Sequence, residues 1–276
     1  MSLGERARGL LDLCRPLNAV LAGVLTLIGA YVAGRPLAGA ALVAALATVF
    51  AVAAGNAIND YFDREIDRIN APERPIPRGA VSPRAALAFS VALFAAAVVL
   101  ALSLPMVAVA IAAVNLVALV AYTKLFKGLP GAGNAVVAYL GGSTFLFGAA
   151  AVGRPLAGAV LALLAALSTL AREVVKDVED VAGDREEGLN TLPIAVGERP
   201  ALLVAAGVLA LAVLASPLPY VTDLFGVAYL AVVVPADAVM AYAAYLAFSD
   251  PTRAQGLLKY GMVLAAAAFV VGRTFA

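Results

Sequence analysis

The sequence predicts an all-α integral membrane protein, on three observations: its composition, the length of its charge-free runs and the sidedness of its basic residues. Of its 276 residues 63% are hydrophobic and 13% charged, and the mean hydropathy is +0.97. A soluble domain carries about twice that charge, so lipid is the expected solvent for most of the surface. The net charge of +1 gives no global field for gathering nucleic acid, and no nucleic-acid partner is expected. The chain contains no histidine, which excludes the usual zinc sites and His-based triads. Its single cysteine, Cys14, can form no intrachain disulfide. Acid–base work therefore falls to Asp, Glu, Lys, Tyr or water.

The elements follow in order. The opening MSLGERARGLLDLCRP is charged and broken by Pro16, unlike a cleaved leader, so the first apolar run is expected as a retained helix. A membrane-spanning helix needs roughly 20 apolar residues. Charge-free stretches of that size are residues 16 to 34, 36 to 59, 128 to 153, 155 to 171 and 200 to 222. The run from 85 to 123 is about two spans long, with Pro105 as the turn between them. Residues 224 to 249 hold one charge, Asp237, and 254 to 276 form the last apolar segment. Nine transmembrane helices around a central cavity are expected, in a single domain covering 1–276. Asp237, beyond Pro235, is either functional, as acids inside spans generally are, or only protonated or bonded to a broken helix turn.

Lysine and arginine concentrate on the cytoplasmic side of membrane proteins. Here the N-terminus and the even-numbered connections hold them all except Arg35, Arg154 and Arg273. The protein is expected in the plasma membrane with its N-terminus and every acid-rich segment cytoplasmic and its C-terminus outside. Two connections also rhyme. After the second span and again after the sixth, a polar helix end runs into a proline turn, RPIPRGAV at 74 to 81 and LPIAVG at 192 to 197. Four spans separate them, which suggests a duplicated four-helix unit with a ninth helix added.

Those helix ends carry the chemistry. In NDYFDREID at 59 to 67, Asn59, Asp63 and Asp67 fall within about 80° of one helix face, and Asn56 and Asp60 widen the arc only to about 100°. In the second motif Glu173, Asp177, Asp180 and Asp184 share about 60°. Stacked carboxylates beside low dielectric repel or raise each other's pKa, and a cation resolves that cost. Hard oxygen ligands select Mg²⁺ or Ca²⁺, and Mg²⁺ takes one or two carboxylates, waters and phosphate oxygens. Two facing stripes suit two Mg²⁺ ions with a diphosphate between them, drawing off charge as the leaving group departs. The plainer alternative is a pair of solvated helix ends with i,i+4 salt bridges to the interleaved Arg64, Arg68, Arg172, Lys176 and Arg185.

Phosphate clamps are expected from Arg64, Arg68, Arg74 and Arg78 after the first stripe, from Tyr122, Lys124 and Lys127 ending the fourth span, and from Lys176 beside the second stripe. Asn18 puts an amide just inside the first span. Tyr139, Phe145 and Phe147 offer ring faces to an allylic cation, or pack as ordinary core.

NDYFDREIDRINAPERPIPRG at 59 to 79 resembles the NDxxDxxxD motif of UbiA-type intramembrane prenyltransferases. DVEDVAGDREEGLNTLP at 177 to 193 resembles their second DxxxD motif, here Asp180 and Asp184. The likeness covers essentially the whole chain. It implies Mg²⁺-dependent transfer of an isoprenoid from an allylic diphosphate, with the prenyl chain in an apolar tunnel between helices. It makes Asn59, Asp63, Asp67, Asp180 and Asp184 metal and diphosphate residues, with Asp60 and Asp177 in adjacent acidic positions. Within the family the wording looks most like archaeal digeranylgeranylglyceryl phosphate synthases, which implies a geranylgeranyl donor and geranylgeranylglyceryl phosphate as acceptor. Aromatic acids such as 4-hydroxybenzoate and chlorophyllide-type acceptors are the alternatives within the family. The acceptor hydroxyl needs a proton acceptor, for which Asp60 or Asp63 is the candidate, the departing diphosphate being the other choice. A CDP-alcohol phosphotransferase is disfavoured because its DGxxAR element is missing. An ion-coupled transporter would place its acids near the midplane, where only Asp237 lies.

Overall fold

The computed structural model describes residues 3–34 and 39–276, without the side chains of Leu3 and Lys124. Arg35, residues 36 to 38 at the start of the second apolar run, and the Lys124 side chain therefore lie outside the described part. No strand occurs among the described residues. The chain runs α1 (Leu3–Cys14), α2 (Pro16–Val32), α3 (Gly39–Phe62), α4 (Arg64–Asn70), α5 (Pro83–Leu102), α6 (Met106–Ala121) and α7 (Ala132–Ala151). It continues through α8 (Ala159–Glu179), α9 (Val181–Glu186), α10 (Leu192–Val196), α11 (Glu198–Ala215), α12 (Leu218–Val221), α13 (Ala228–Leu246) and α14 (Pro251–Thr274).

Seven of the segments are long and apolar enough to cross a membrane, and the pair α1 and α2, bent by 46°, makes an eighth if taken as one span. The remaining apolar helix, α6, has 16 residues, fewer than a bilayer core asks of a straight helix. The expectation of nine spans differs at these two places for a physical reason. A charge-free run records apolarity and says nothing of where the helix bends or stops. Residues 122 to 123, counted into the fourth span, belong to a π-helical turn over Tyr122–Phe126.

Local chemistry sets several helix starts. Ser82 caps α5, accepting from the Ala85 N–H at 3.3 Å, with Pro83 in the first turn. Asp250 caps α14 by accepting from the Arg253 N–H at 2.9 Å. In both, the cap meets a donor orphaned at the helix end. The bundle closes around α7, where glycine lets backbones touch. A Cβ on Gly148 would stand 1.9 Å from the Thr26 carbonyl oxygen on α2, and one on Gly142 would stand 2.3 Å from that of Ala162 on α8. Leu, Val and Tyr side chains elsewhere stay open on the outer faces of the helices, among them Val117 and Leu214 at 68% and 78% exposure, as lipid-facing positions do.

An apolar cavity of about 380 Å³ is lined from α3, α5, α6 and α7. Its α7 wall is Leu140, Thr144 and Phe147, on the helix around which the bundle closes.

Candidate active site

Both acidic motifs begin on a long helix and cross a break at an aspartate. α3 stops at Phe62, Asp63 takes φ −82° and ψ 0°, and α4 begins at Arg64. α8 stops at Glu179, Asp180 takes φ −90° and ψ 2°, and α9 begins at Val181. The i→i+4 bonds survive each break: the Asp63 N–H donates to Asn59 O and the Asp67 N–H to Asp63 O, both at 2.8 Å, and the Asp180 and Asp184 N–H groups do the same at 3.0 and 2.9 Å. Helical phase is thereby carried through the break.

Between the two motifs stands the π-helical turn Tyr122–Phe126 with Lys127 after it. Such turns recur at functional sites because they re-aim side chains. Lys127 Nζ reaches Asp63 Oδ2 at 2.8 Å and also lies within electrostatic reach of Asp184. Thr123 Oγ1 donates to Asn59 Oδ1 at 3.0 Å. The Tyr122 hydroxyl senses Glu173, Lys176 and Asp177 of one motif and Asp63 of the other. Across the gap, Lys176 Nζ meets Asp180 Oδ2 at 3.2 Å, Asn134 on α7 donates to Asp177 Oδ2 at 2.8 Å, and Thr191 donates to Asp184 Oδ2 at 3.1 Å. Burial, with the charge of Asp180 added, raises the Asp184 carboxyl above its ordinary range, against the Thr191 bond and the lysines.

A second, polar cavity of about 340 Å³ opens here, lined by Asp63, Thr123, Lys127, Gly128, Glu187 and Leu189 among others. Asn59 lines the apolar cavity and Thr123 the polar one, so their hydrogen bond stands at the boundary. The arrangement suits a ligand with a charged head and a long apolar tail.

The expected cation stripes are modified by what the acids hold. Arg15 Nη2 lies 2.7 Å from Asp60 Oδ1, and Arg74 Nη1 spans both Asp67 oxygens at 2.7 and 2.8 Å. Burial opposes the charge on Arg74, but the Asp67 bond and the charges of Asp67, Asp60 and Asp63 outweigh it and hold its pKa up. Among the described residues no three acidic side chains converge into a ready-made cation site. The donor set still fits Mg²⁺ chemistry, because it is all oxygen and that ion needs only one or two carboxylates beside phosphate and water.

Several expected residues fall elsewhere. Arg64 lies over the Tyr61 ring, 4.8 Å from its centroid, donates to the Tyr61 carbonyl at 2.8 Å and pairs with Glu65. Arg68 also pairs with Glu65. Arg78 pairs with Asp12 on α1 at 2.6 Å. Asn56 spends its amide on the Cys14 carbonyl at 3.0 Å, and Asn18 is exposed. The aromatic trio is split: Tyr139 is exposed, Phe145 packs edge-on against Phe269, and Phe147 lines the apolar cavity. Charge and packing at each position account for this better than one shared cation site. Arg15, Thr123, Asn134 and Thr191 were not read as site residues. Asn134 alone carried a usable signal, an amide inside an otherwise apolar span.

The sequence profile of the UbiA prenyltransferase family matches residues 21–270. The chain belongs to that family. As a UbiA prenyltransferase it has well-matched relatives. It is 65% identical to the digeranylgeranylglyceryl phosphate synthase of Natronomonas pharaonis over 271 residues, 98% of each chain. A solved structure concerned with digeranylgeranylglyceryl phosphate synthase in membranes superposes with a TM-score of 0.84 at 36% identity, over 98% of this chain and 99% of the other. A UbiA homologue from Archaeoglobus fulgidus bound to GPP and Mg²⁺ shares the fold at 20% identity, TM-score 0.69, over 96% of this chain and 98% of the other. This UbiA chain is thus a multi-pass membrane prenyltransferase.

Proposed function

We propose that this prenyltransferase transfers a geranylgeranyl group from its allylic diphosphate to the free hydroxyl of geranylgeranylglyceryl phosphate, with two Mg²⁺ ions, at the cytoplasmic face of the plasma membrane. The observation that carries the donor end is the polar cavity lined by Asp63 and Lys127 and, just past the second motif, by Glu187 and Leu189, joined to the apolar cavity by the Thr123–Asn59 hydrogen bond. The acceptor rests on the named relatives, with identity high along the whole chain. Nine spans, counting α1–α2 as one bent span and α6 as a short one, put both motifs on one side, with the N-terminus cytoplasmic and the C-terminus outside.

Asn59 and Asp63 on one side and Asp177, Asp180 and Asp184 on the other would hold the Mg²⁺ ions, while Asp67, expected beside them, has both oxygens spanned by Arg74 and holds that arginine instead. When bound, these ions supply neutralisation of the charge that gathers on the leaving diphosphate. Lys127 and Lys176 face the same charge from the chain itself, with Tyr122 between them. Each of the two acids considered as proton acceptor is held by a cation, Asp63 by Lys127 through Oδ2 and Asp60 by Arg15, and Asp63 is the more open, its side chain 28% exposed against 5%. Asp63 takes the hydroxyl proton as the acceptor oxygen attacks C1 and the C1–diphosphate bond breaks. The apolar walls keep water from the allylic centre.

The test is to incubate purified protein with radiolabelled geranylgeranyl diphosphate, Mg²⁺ and a panel of glyceryl phosphate, aromatic-acid and chlorophyllide acceptors. Label should enter the glyceryl phosphate. Label in an aromatic acid alone would reassign the acceptor, and no Mg²⁺-dependent diphosphate release would defeat the donor chemistry.

A further inference from the structure

We infer that Arg15, at the break between α1 and α2, binds the phosphate monoester of the acceptor and, with Arg74, forms an anion subsite separate from the lysines that face the leaving diphosphate. This assignment rests on the glyceryl phosphate acceptor proposed above.

The backbone at Arg15 is unusual. It lies in the left-handed region at φ 45° and ψ 66°, a conformation that side chains with a Cβ avoid, and Pro16 follows, which disfavours helical conformations of the preceding residue further. Strain of this kind persists only where the surroundings over-determine it, and it gathers at functional sites. The surroundings do so here. Leu13 is fully buried, packed with Ala57, Ile76 and Val81. The Arg15 N–H donates to Asp12 O at 3.1 Å, and Asn56 on α3 donates to Cys14 O at 3.0 Å. Glycine would make this bend without strain. An arginine in that place finds its reason at the guanidinium.

That guanidinium meets Asp60 Oδ1 at 2.7 Å, and Arg74 Nη1 stands 3.7 Å from the same oxygen while spanning Asp67. Asp60 and Asp67 have side chains only 5% and 7% exposed. They serve as a buried rack that sets two forks side by side, brought from segments far apart in sequence. The hydrogen bonds found among the described residues use only Nη2 of Arg15 and Nη1 of Arg74, and the two side chains remain 40% and 35% exposed. Nε and the other Nη of each fork are left for a ligand.

The two kinds of cation match two kinds of anion. Lys127 and Lys176 are compact charges beside Asp63 and Asp180, suited to an ion-bridged diphosphate. Planar guanidiniums grip a phosphate monoester with paired N–H bonds. A reaction between two phosphorylated substrates needs both, held apart so that neither takes the other's place.

The test uses full-length protein in nanodiscs, with KM and kcat for each substrate while the other is saturating. For Arg15→Lys, KM for geranylgeranylglyceryl phosphate should rise about tenfold or more, with kcat and the donor KM within about twofold of wild type. With geranylgeranylglycerol, which lacks the phosphate, kcat/KM should be unchanged. Asp60→Asn, which frees the fork from its rack, should reproduce the acceptor defect. On the wild-type protein itself, glycerol phosphate should inhibit competitively against the acceptor, and less so in Arg15→Lys. An unchanged acceptor KM, or equal losses with and without the acceptor phosphate, makes Arg15–Asp60 a fold clasp and overturns the inference alone. Glycerol phosphate competing against the donor also overturns it. A wild-type enzyme that prenylates no glyceryl phosphate acceptor overturns the proposed function and this inference together.

Discussion

At the residue scale, one cation is asked to serve two acids. Lys127 neutralises Asp63 directly and Asp184 at longer range, so it couples the motifs before any ligand arrives. Removing Asp63 or Asp180 changes the chemistry more than the fold, because both are partly exposed and their lysine partners can turn to water. Asp63→Asn and Asp180→Asn should each lower turnover by about 10²–10³, with thermal unfolding in detergent close to wild type. Chelation with EDTA should abolish turnover and Mg²⁺ restore it; turnover that survives in Asp63→Asn moves the site elsewhere. Asp237 is a different case. Its Oδ2 accepts from Ser216 Oγ at 2.5 Å, while Tyr229 donates to Ser216 O at 2.7 Å, just past the end of α11 that is remote from the second motif. Asp237→Asn keeps an acceptor for Ser216, so turnover should stay within about twofold of wild type. Asp237→Leu strands that hydroxyl and should cost about 1–3 kcal/mol of stability, read from the melting temperature. Loss of turnover in Asp237→Asn without loss of stability would give this acid a part in catalysis. The sequence singled out the acids whose charges reach Tyr122 and Lys127, namely Asp63, Glu173, Asp177 and Asp184, but not Glu187, which lines the polar cavity with Lys127. It did not show that Asp60 answers to Arg15, since an ion pair between residues 45 positions apart leaves no local pattern, nor that Arg74 folds back onto Asp67 seven residues earlier.

At the element scale, helical phase runs through both motifs even though neither helix is continuous. Asp63 and Asp180 leave helical geometry, yet the i→i+4 bonds on both sides hold the phase, so spacing still predicts facing. The π turn at Tyr122–Phe126 had no such signal, because an extra residue in a turn shifts register without altering composition. Cavity shape was equally hidden, although one glycine defines it. A Cβ on Gly55 would meet Leu119 at 3.1 Å, and both residues line the apolar cavity, four residues deeper along α3 than Asn59. Gly55→Leu should therefore wall off the lower cavity. Its kcat/KM for geranylgeranyl diphosphate should fall about tenfold or more relative to that for geranyl diphosphate, measured with both donors on one acceptor. Equal losses on both donors would place the long tail outside this cavity.

At the scale of the whole molecule, composition alone identified the solvent, and the basic residues give a direction that the helices cannot. Glu186, the last residue of α9, and Thr222, just past α12, are exposed residues that precede and follow the α11 segment. Glu186 lies among the acids, arginines and lysines of the second motif, whereas the stretch from 200 to 222 carries no charge. The positive-inside rule counts basic residues in short connections, and on that count Glu186 faces the cytoplasm and Thr222 the exterior. In a Cys14→Ala background, Thr222→Cys should react with a membrane-impermeant maleimide on intact cells, and Glu186→Cys only after permeabilisation. The reverse pattern would turn the molecule over and put its diphosphate site on the side away from the cell's isoprenoid supply. Labelling of both on intact cells would mean that α11 does not cross, and the span count would fall with it.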